Sequence, residues 1–261
     1  MKCGISSACL YPQVTEEAVA YLAAHSVENI EIFFNAPSEL EMQYLHSLKQ
    51  VLDAAGTHVV SIHPFSSGFE PYMFFTNYVR RYEDILDLYK RYFEAMQYLG
   101  ARIFVFHGDR SGSRFPENDY FERFSGLQAV GHSYGVTVAQ ENVERCRSRD
   151  PQFLARMKEA IPDAEFVLDV KQAVRSGYSP FSFIDAIGDR LSHLHVSDHR
   201  TGADCLPIGE GNFDFDRFFS RLQTLSYDGY LILELYRQNF DTPEQLLGSL
   251  KKLQSWKKDV L

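Results

Sequence analysis

Short runs of β-branched and aromatic residues alternate along the chain with longer amphipathic segments. The short runs have the length and composition of buried strands, whereas the segments between them repeat their apolar residues at helical spacing. The eight predicted strands cover residues 2–7, 29–34, 58–65, 102–108, 136–143, 165–170, 191–198 and 230–236. Such regular alternation is typical of repeated βα units built on a parallel sheet.

Capping signals support the helices between these strands. A polar residue is followed by proline or by acids in the expected first turn at Thr15, Ser38, Asp150 and Asp241. Eight alternations without a linker predict an α/β fold in which residues 1–261 form one (β/α)₈ TIM barrel. An open doubly wound sheet is the alternative, but Gly4 stands alone in the first βα turn, which lacks a glycine-rich phosphate loop.

Composition narrows the cellular setting of this barrel. A content of 45% hydrophobic residues in 261 is ample for a large core, and a formal charge of −9 argues against a nucleic-acid surface. The N-terminal residues contain one lysine and no long apolar run, so we expect neither export nor a membrane segment. The cysteines follow no disulfide or zinc-knuckle spacing, which predicts reduced thiols and a cytoplasmic location. They are Cys3, Cys9, Cys146 and Cys205.

Six consecutive predicted strands end in side chains that can bind a metal. In a barrel, alternate residues of each strand point inward, and the C-terminal strand ends form the active-site face. This rule places six such residues at one rim: His63, His107, Glu141, Asp169, His195 and Glu234. One histidine or glutamate alone is ordinarily a hydrogen-bonded or solvated residue. Together they indicate a metal site, because buried carboxylates are costly unless they bind a cation.

Two histidines share the seventh predicted strand. His193 and His195 have the same inward parity, and His193 lies about 6.5 Å deeper in the barrel. His195 is therefore the predicted ligand. For His193, a role in orienting the ligand and a purely structural role in the core both remain open.

The ordered motifs FVFHGD, AQENV, FVLDV, HLHVSD, LPIGEG and LILELY resemble those of the xylose-isomerase-like TIM barrels. That family includes sugar isomerases and epimerases as well as endonuclease IV, and the resemblance spans the whole chain. In its ketose epimerases one divalent metal is held by Glu, Asp, His and Glu from consecutive strands. The resemblance assigns these ligand positions to Glu141, Asp169, His195 and Glu234.

The three-zinc pattern of endonuclease IV is matched only in part. Its two early histidines correspond to His63 and His107, but Gln172, Ala203 and Cys205 replace ligands of the third zinc. Gln172 also departs from the epimerases, in which a histidine at this place helps to bind substrate. The resemblance therefore favours an epimerase over a nuclease.

A site of three carboxylates and one imidazole suits Mn²⁺ first, with Zn²⁺, Co²⁺ and Mg²⁺ as alternatives. The resemblance implies a sugar isomerase or epimerase that acts through a metal-bound enediolate. Glu141 and Glu234 are the predicted proton-transfer residues, since one can remove a proton and the other return it. His63 and His107 either bind a second metal or hydrogen-bond sugar hydroxyls, which we favour, and Gln172 joins them as a substrate-binding candidate.

Several functional alternatives stay open. The expected partner is a small-molecule sugar or sugar phosphate, with no nucleic acid and no membrane, and a homo-oligomer is an open alternative. Rival functions are an endonuclease IV-like phosphodiesterase and a non-catalytic metal- or ligand-binding barrel. Residues 64–75, termed the aromatic segment, form either a lid over the barrel or packing against the next helix. Arg145, Arg147 and Arg200 are candidates for phosphate contacts.

Overall fold

Eight of the strands close into a barrel. The computed structural model describes the backbone of residues 1–260 and the side chains of residues 1–256. Its strands are β1 (Lys2–Ser6), β2 (Asn29–Phe34), β3 (His58–Pro64), β4 (Ile103–Phe106), β5 (Thr137–Glu141), β6 (Glu165–Asp169), β7 (Leu191–Val196), β8 (Asp198–Arg200), β9 (Ala203–Leu206) and β10 (Tyr230–Leu233). Within the described residues, the closed order is β1-β10-β7-β6-β5-β4-β3-β2, and each barrel pair is parallel. This confirms the predicted TIM barrel. Strands β8 and β9 form a separate antiparallel hairpin.

Helices follow the barrel strands. They are α1 (Thr15–Ala24), α2 (Met42–Ala55), α3 (Glu70–Met73), α4 (Val79–Leu99), α5 (Glu117–Ser133), α6 (Pro151–Ala160), α7 (Val170–Arg175), α8 (Pro180–Ile187), α9 (Phe215–Thr224) and α10 (Pro243–Val260). Asp150 caps α6 as predicted, because its side chain accepts a hydrogen bond from the backbone N–H of Gln152 at 3.0 Å. The predicted start near Ser38 is wrong: that residue lies in a short 3₁₀ helix, and α2 begins at Met42.

The core has two layers that follow from strand parity. Val105, Ala139 and Val167 form a small cluster of their own inside the barrel. Alternate residues of the same strands, such as Phe104 and Phe166, belong to the larger cluster that also contains apolar residues of the helices. The inner layer is thin, so the strand ends above it are free to carry polar side chains.

Some aromatic residues of the aromatic segment are buried and others are exposed, so the predicted roles of packing and of a lid apply to different residues. Phe74 and Phe75 are buried, and the Phe75 ring stacks on Tyr120 with 4.3 Å between ring centroids. Phe69 and Tyr72 are 57% and 55% exposed. The lid interpretation is therefore wrong for Phe74 and Phe75, because these rings pack against the body of the barrel.

No helix within the described residues is both long enough and apolar enough to cross a membrane.

Candidate active site

Four of the predicted ligands converge at the C-terminal end of the barrel. Glu141 ends β5, Asp169 ends β6, His195 lies one residue before the end of β7, and Glu234 directly follows β10. Each offers one ligand atom, and these atoms all lie within 4.8 Å of one another. We call these residues the four-residue cluster. Its histidine and two of its carboxylates are buried, and Glu234 is partly exposed.

One nitrogen of His195 faces the three carboxylates. Its Nδ1 lies 3.0 Å from Glu141 Oε1, 3.3 Å from Glu234 Oε2 and 3.9 Å from Asp169 Oδ2. The imidazole therefore presents Nδ1 to the cluster and its other nitrogen to the barrel interior.

Asn142 fixes Asp169 relative to Glu141. The side chain of Asn142 accepts a hydrogen bond from the Asp169 backbone N–H at 2.6 Å and donates to the Asp169 carbonyl at 3.0 Å. Asp169 Oδ1 also caps α7 by accepting from the Gln172 N–H at 3.0 Å. These bonds hold one carboxylate oxygen and direct the other, Oδ2, toward the cluster.

A buried glutamate that the sequence analysis missed lies on the other side of His195. Glu31 Oε2 is 3.0 Å from His195 Nε2, and its carboxylate accepts hydrogen bonds from Ser6 at 3.0 Å and Ser61 at 2.8 Å. Although burial opposes ionisation, His195 and His193 hold the pKa of Glu31 well below its usual range. The available signal was a lone acid between Ile30 and Ile32, in a strand whose other residues after Asn29 are apolar.

His193 lies beneath His195 and beside Glu31, and its ring nitrogens do not face the three carboxylates of the four-residue cluster. Its Nε2 lies 3.1 Å from Ser61 Oγ and 3.4 Å from Glu31 Oε2. The His193 ring also packs edge-on against the His195 ring, with 5.3 Å between ring centroids, so His193 supports the candidate ligand both directly and through Glu31.

Lys171 is a second missed residue, and it lies against the four-residue cluster. Its ammonium is 3.0 Å from Asp169 Oδ2 and 2.8 Å from Glu234 Oε2, and it lies 4.8 Å from the centroid of the Tyr236 ring. The side chain is buried. Because it follows Asp169 by two residues, the turn at the start of α7 returns its charge to the strand end.

Burial opposes ionisation of every carboxylate in the cluster. Whether the pKa of each acid is raised or lowered therefore depends on the charged groups beside it. For Asp169, burial prevails over the attraction of Lys171 and raises the pKa to about 7. For Glu234, the charge of Lys171 prevails over burial and lowers the pKa to about 2. For Glu141, contact with His107 holds the pKa well below its usual range despite burial. A further cation in the cluster would favour ionisation of all three acids together.

The two early histidines meet beside Glu141. His107 Nε2 lies 2.8 Å from His63 Nε2 and 2.8 Å from Glu141 Oε2. Arg145 donates to His107 Nδ1 at 3.0 Å, and a guanidinium cannot accept a hydrogen bond. The neutral His107 ring therefore carries its proton on Nε2, which faces Glu141. Burial and the proximity of His107 lower the pKa of His63 to about 4.

The backbone around His107 is held by Glu70, a third missed residue. Glu70 accepts hydrogen bonds from the N–H groups of His107 at 3.0 Å and Gly108 at 2.5 Å, and from the Tyr89 hydroxyl at 2.7 Å. Gly108 has φ +86°, and a Cβ there would lie 2.1 Å from the Tyr120 hydroxyl oxygen. This turn therefore requires glycine immediately after His107.

A cavity of about 240 Å³ opens above these groups. Glu141, Glu234, His63, His107, Arg145, Lys171 and Gln172 are among its lining residues. Gln172 accepts a hydrogen bond from the Glu144 backbone N–H at 3.0 Å through its side-chain oxygen. A larger groove of about 510 Å³, lined mainly by residues of α2, includes none of the predicted site residues.

Comparison with known proteins links this architecture to one family and to sugar epimerases. The family model described as "Xylose isomerase-like TIM barrel" matches residues 19–256. The uncharacterized protein MJ1311 of Methanocaldococcus jannaschii is 25% identical over 252 residues, which span 90% of this chain and 83% of that protein.

Two solved structures illustrate the likeness of fold. A D-tagatose 3-epimerase-like protein has a TM-score of 0.81 and 21% identity, covering 100% of this chain and 98% of its own. A D-allulose 3-epimerase from Methylomonas sp., solved in complex with D-allulose, has a TM-score of 0.78 and 16% identity, covering 98% of this chain and 97% of its own.

Proposed function

The chain belongs to the xylose isomerase-like TIM-barrel family, and from this premise and the site geometry we propose that it is a divalent-metal-dependent isomerase or epimerase of a ketose. The observation that carries the proposal is the convergence of four ligand atoms within 4.8 Å at the C-terminal end of the barrel. The structural neighbour that contains D-allulose supports a sugar as the substrate class.

The residues fit a divalent cation. The buried Oδ2 of Asp169 accepts no hydrogen bond from the described residues, and Lys171 is its closest cation. The proposed ligands are three carboxylates and one imidazole, from Glu141, Asp169, Glu234 and His195. This oxygen-rich set favours Mn²⁺, with Zn²⁺, Co²⁺ and Mg²⁺ as alternatives. His195 would bind through Nδ1, because its Nε2 faces Glu31.

Glu141 and Glu234 are proposed as the proton-transfer pair. They lie at the ends of β5 and β10, which are separated in the barrel by β6 and β7, so they approach a bound sugar from different sides. One carboxylate would remove the proton beside the carbonyl, and the other would return it to the resulting enediolate. The bound cation would supply electrostatic stabilisation of the substrate oxygens.

His63, His107 and Gln172 are proposed to hydrogen-bond the substrate. All three line the cavity. The bond from Arg145 makes His107 a donor toward Glu141, which favours a hydrogen-bonding role over ligation of a second metal. A cytoplasmic location and a homo-oligomeric assembly stay predictions.

The proposal is tested by exchange of ketose protons with solvent deuterium. The protein is first loaded with Mn²⁺, and a panel of ketoses and ketose phosphates is followed by NMR in D₂O. We expect exchange into at least one ketose, lost by 100-fold or more in Glu141→Gln and Glu234→Gln, because each change removes a proton acceptor and a metal ligand.

The matched control is Glu28→Gln, an exposed glutamate outside the cavity, which should retain full exchange. Near-normal exchange in both site variants would refute the two-glutamate mechanism. Full exchange in a metal-stripped sample would refute metal dependence.

A further inference from the structure

The sequence offers three arginines as candidates for anion binding, and they differ in their contacts in the structure. Arg147 donates to the Phe115 carbonyl at 2.8 Å and to Glu117 at 3.1 Å, so its charge is compensated. Arg200 donates to the Glu210 carbonyl at 3.0 Å and does not line the cavity. Arg145 alone of the three lines the cavity above the four-residue cluster.

The backbone places Arg145 beside the cavity. Its carbonyl accepts from the Ser111 N–H at 2.8 Å, and the Arg147 N–H donates to the Asp109 carbonyl at 2.8 Å. These bonds tie the loop after β5 to the loop after β4. The backbone at Arg145 is therefore held by two loops, and its exposed side chain extends to the buried His107.

Among the described side chains, no carboxylate pairs with the charge of Arg145. Its hydrogen-bond partner is His107, and no carboxylate of the described residues lies within 4.0 Å of it in an ion pair. Lys171, the other cation in the cavity wall, contacts both Asp169 and Glu234 and is compensated by them. A guanidinium facing a cavity without an acidic partner has donors available for a planar anion.

We propose that Arg145 binds an anionic group, carboxylate or phosphate, on the substrate of this site. The inference rests on the proposed function and deepens it, since it names an anionic keto sugar as the substrate class. One imidazole ring separates Arg145 from Glu141, so the anionic end and the reacting carbons of a single small molecule reach both groups at once. The cavity volume of about 240 Å³ limits the ligand to a small molecule of this kind.

Isothermal titration of the Mn²⁺-loaded protein tests the proposal with three probes. D-fructose is neutral, D-fructose 6-phosphate carries a phosphate, and 5-keto-D-gluconate carries a carboxylate, so the last two distinguish the sources of the anion. We expect at least one anionic probe to bind about tenfold or more tightly than D-fructose, as charge-assisted hydrogen bonds predict. Arg145→Gln should abolish this preference, and Arg145→Lys should retain part of it.

The matched control is Arg200→Gln, which should keep the full preference because Arg200 lies outside the cavity. Equal binding of neutral and anionic probes, absence of binding by both anionic probes, or an unchanged preference in Arg145→Gln would each overturn the inference. Deuterium exchange is measured on the same samples. Arg145-dependent anion binding without exchange into any ketose of the panel would refute the proposed function alone. Exchange of neutral ketoses that is independent of Arg145 would refute the anionic substrate alone.

Discussion

The carboxylate of Glu31 determines which nitrogen of His195 is available to the four-residue cluster. Glu31 Oε2 lies 3.0 Å from Nε2 and holds a proton on that nitrogen, so a cation between Glu141 and Glu234 would displace the proton of Nδ1 and meet its lone pair. Histidine ligands commonly depend on such a carboxylate partner for tautomer and orientation.

We therefore expect Glu31→Gln to weaken Mn²⁺ affinity by roughly 10–100-fold, because the substitution removes the charge that fixes the His195 tautomer. Titration calorimetry on the metal-stripped variant measures this loss. Glu28→Gln, which changes an exposed glutamate near the start of the same strand, is the control. Unchanged Mn²⁺ affinity in a folded Glu31→Gln protein would show that Glu31 has only a structural role in the core.

Lys171 has the opposite expected effect on metal affinity. Its ammonium competes with a cation for Asp169 and Glu234, at 3.0 Å and 2.8 Å. Lys171→Gln should therefore bind Mn²⁺ more tightly, while the metal-free variant should melt at a lower temperature because two acids lose their buried counter-ion. Calorimetry and thermal melts with and without Mn²⁺ measure both effects.

The control for this variant is Lys158→Gln, which removes a surface lysine paired with the exposed Asp189. This variant should change neither the Mn²⁺ affinity nor the melting temperature appreciably. Weaker Mn²⁺ binding in Lys171→Gln would instead mean that Lys171 holds the two carboxylates in their ligating positions.

Residue-level prediction from sequence succeeded where strand parity decides the geometry. Parity and the family resemblance together pointed to Glu141, Asp169, His195 and Glu234, which the structure brings together, although metal binding itself stays a prediction. Glu31 was detectable as a lone acid in an apolar strand. Lys171 and Glu70 were not, because their contacts depend on how the loops and α7 return toward the barrel, which no periodicity encodes.

At the level of elements, seven of the eight barrel strands end before the last residue of their predicted range, and β2 alone ends where it was predicted to end. Strand β4 ends at Phe106 and β10 at Leu233, so His107 and Glu234 directly follow the strands. A sequence pattern reports side-chain burial, whereas a strand ends where its backbone hydrogen bonds stop. His107 is buried and Glu234 is partly buried, and Glu234 still donates its backbone N–H to the Val196 carbonyl of β7 at 3.2 Å, so the turn into the loop begins only after it.

The aromatic segment offers a test at the same scale. Phe75 is buried and stacks on Tyr120, so Phe75→Ala should lower the free energy of unfolding by about 3–5 kcal/mol through the cavity it leaves. Denaturant unfolding measures the change. Phe69→Ala is the matched control, because Phe69 is 57% exposed and should cost little. An equally small loss of unfolding free energy in both variants would contradict the packing role of Phe75 and favour the lid interpretation.

At the scale of the whole molecule, the alternation of elements was enough to predict the barrel. A parallel sheet must be covered on both faces, and closing eight βα units into a barrel does this with the helices on the outside and the strands' own side chains on the inside. The observed strand order confirms that topology. Function is less determined, because the same barrel family includes both sugar enzymes and a DNA-repair nuclease, and the distinction depends on a few positions around the strand ends.

Those positions argue against the nuclease. Cys205 is buried, and its sulfur accepts the Tyr236 backbone N–H at 3.3 Å, while burial raises the thiol pKa to about 11. Asp204 is held by Arg175 at 2.7 Å and 2.8 Å, so it is not free to replace a missing ligand. Of the two other substitutions, Gln172 offers an amide in place of an imidazole, and the Ala203 side chain has no atom that can bind a metal.

We therefore predict that the protein does not cleave DNA at abasic sites at a useful rate. Phosphodiester hydrolysis by several metals depends on each ion to stabilise the attacking and leaving oxygens, and loss of one removes several kcal/mol of that stabilisation. A net charge of −9 adds long-range repulsion of the phosphate backbone. The measurement is incision of a duplex with one abasic site, with Zn²⁺ and Mn²⁺ supplied and a metal-stripped sample as the control. Metal-dependent incision that disappears in Glu141→Gln would contradict the prediction and establish the nuclease, because Glu141 is shared by the candidate metal sites on both sides of it.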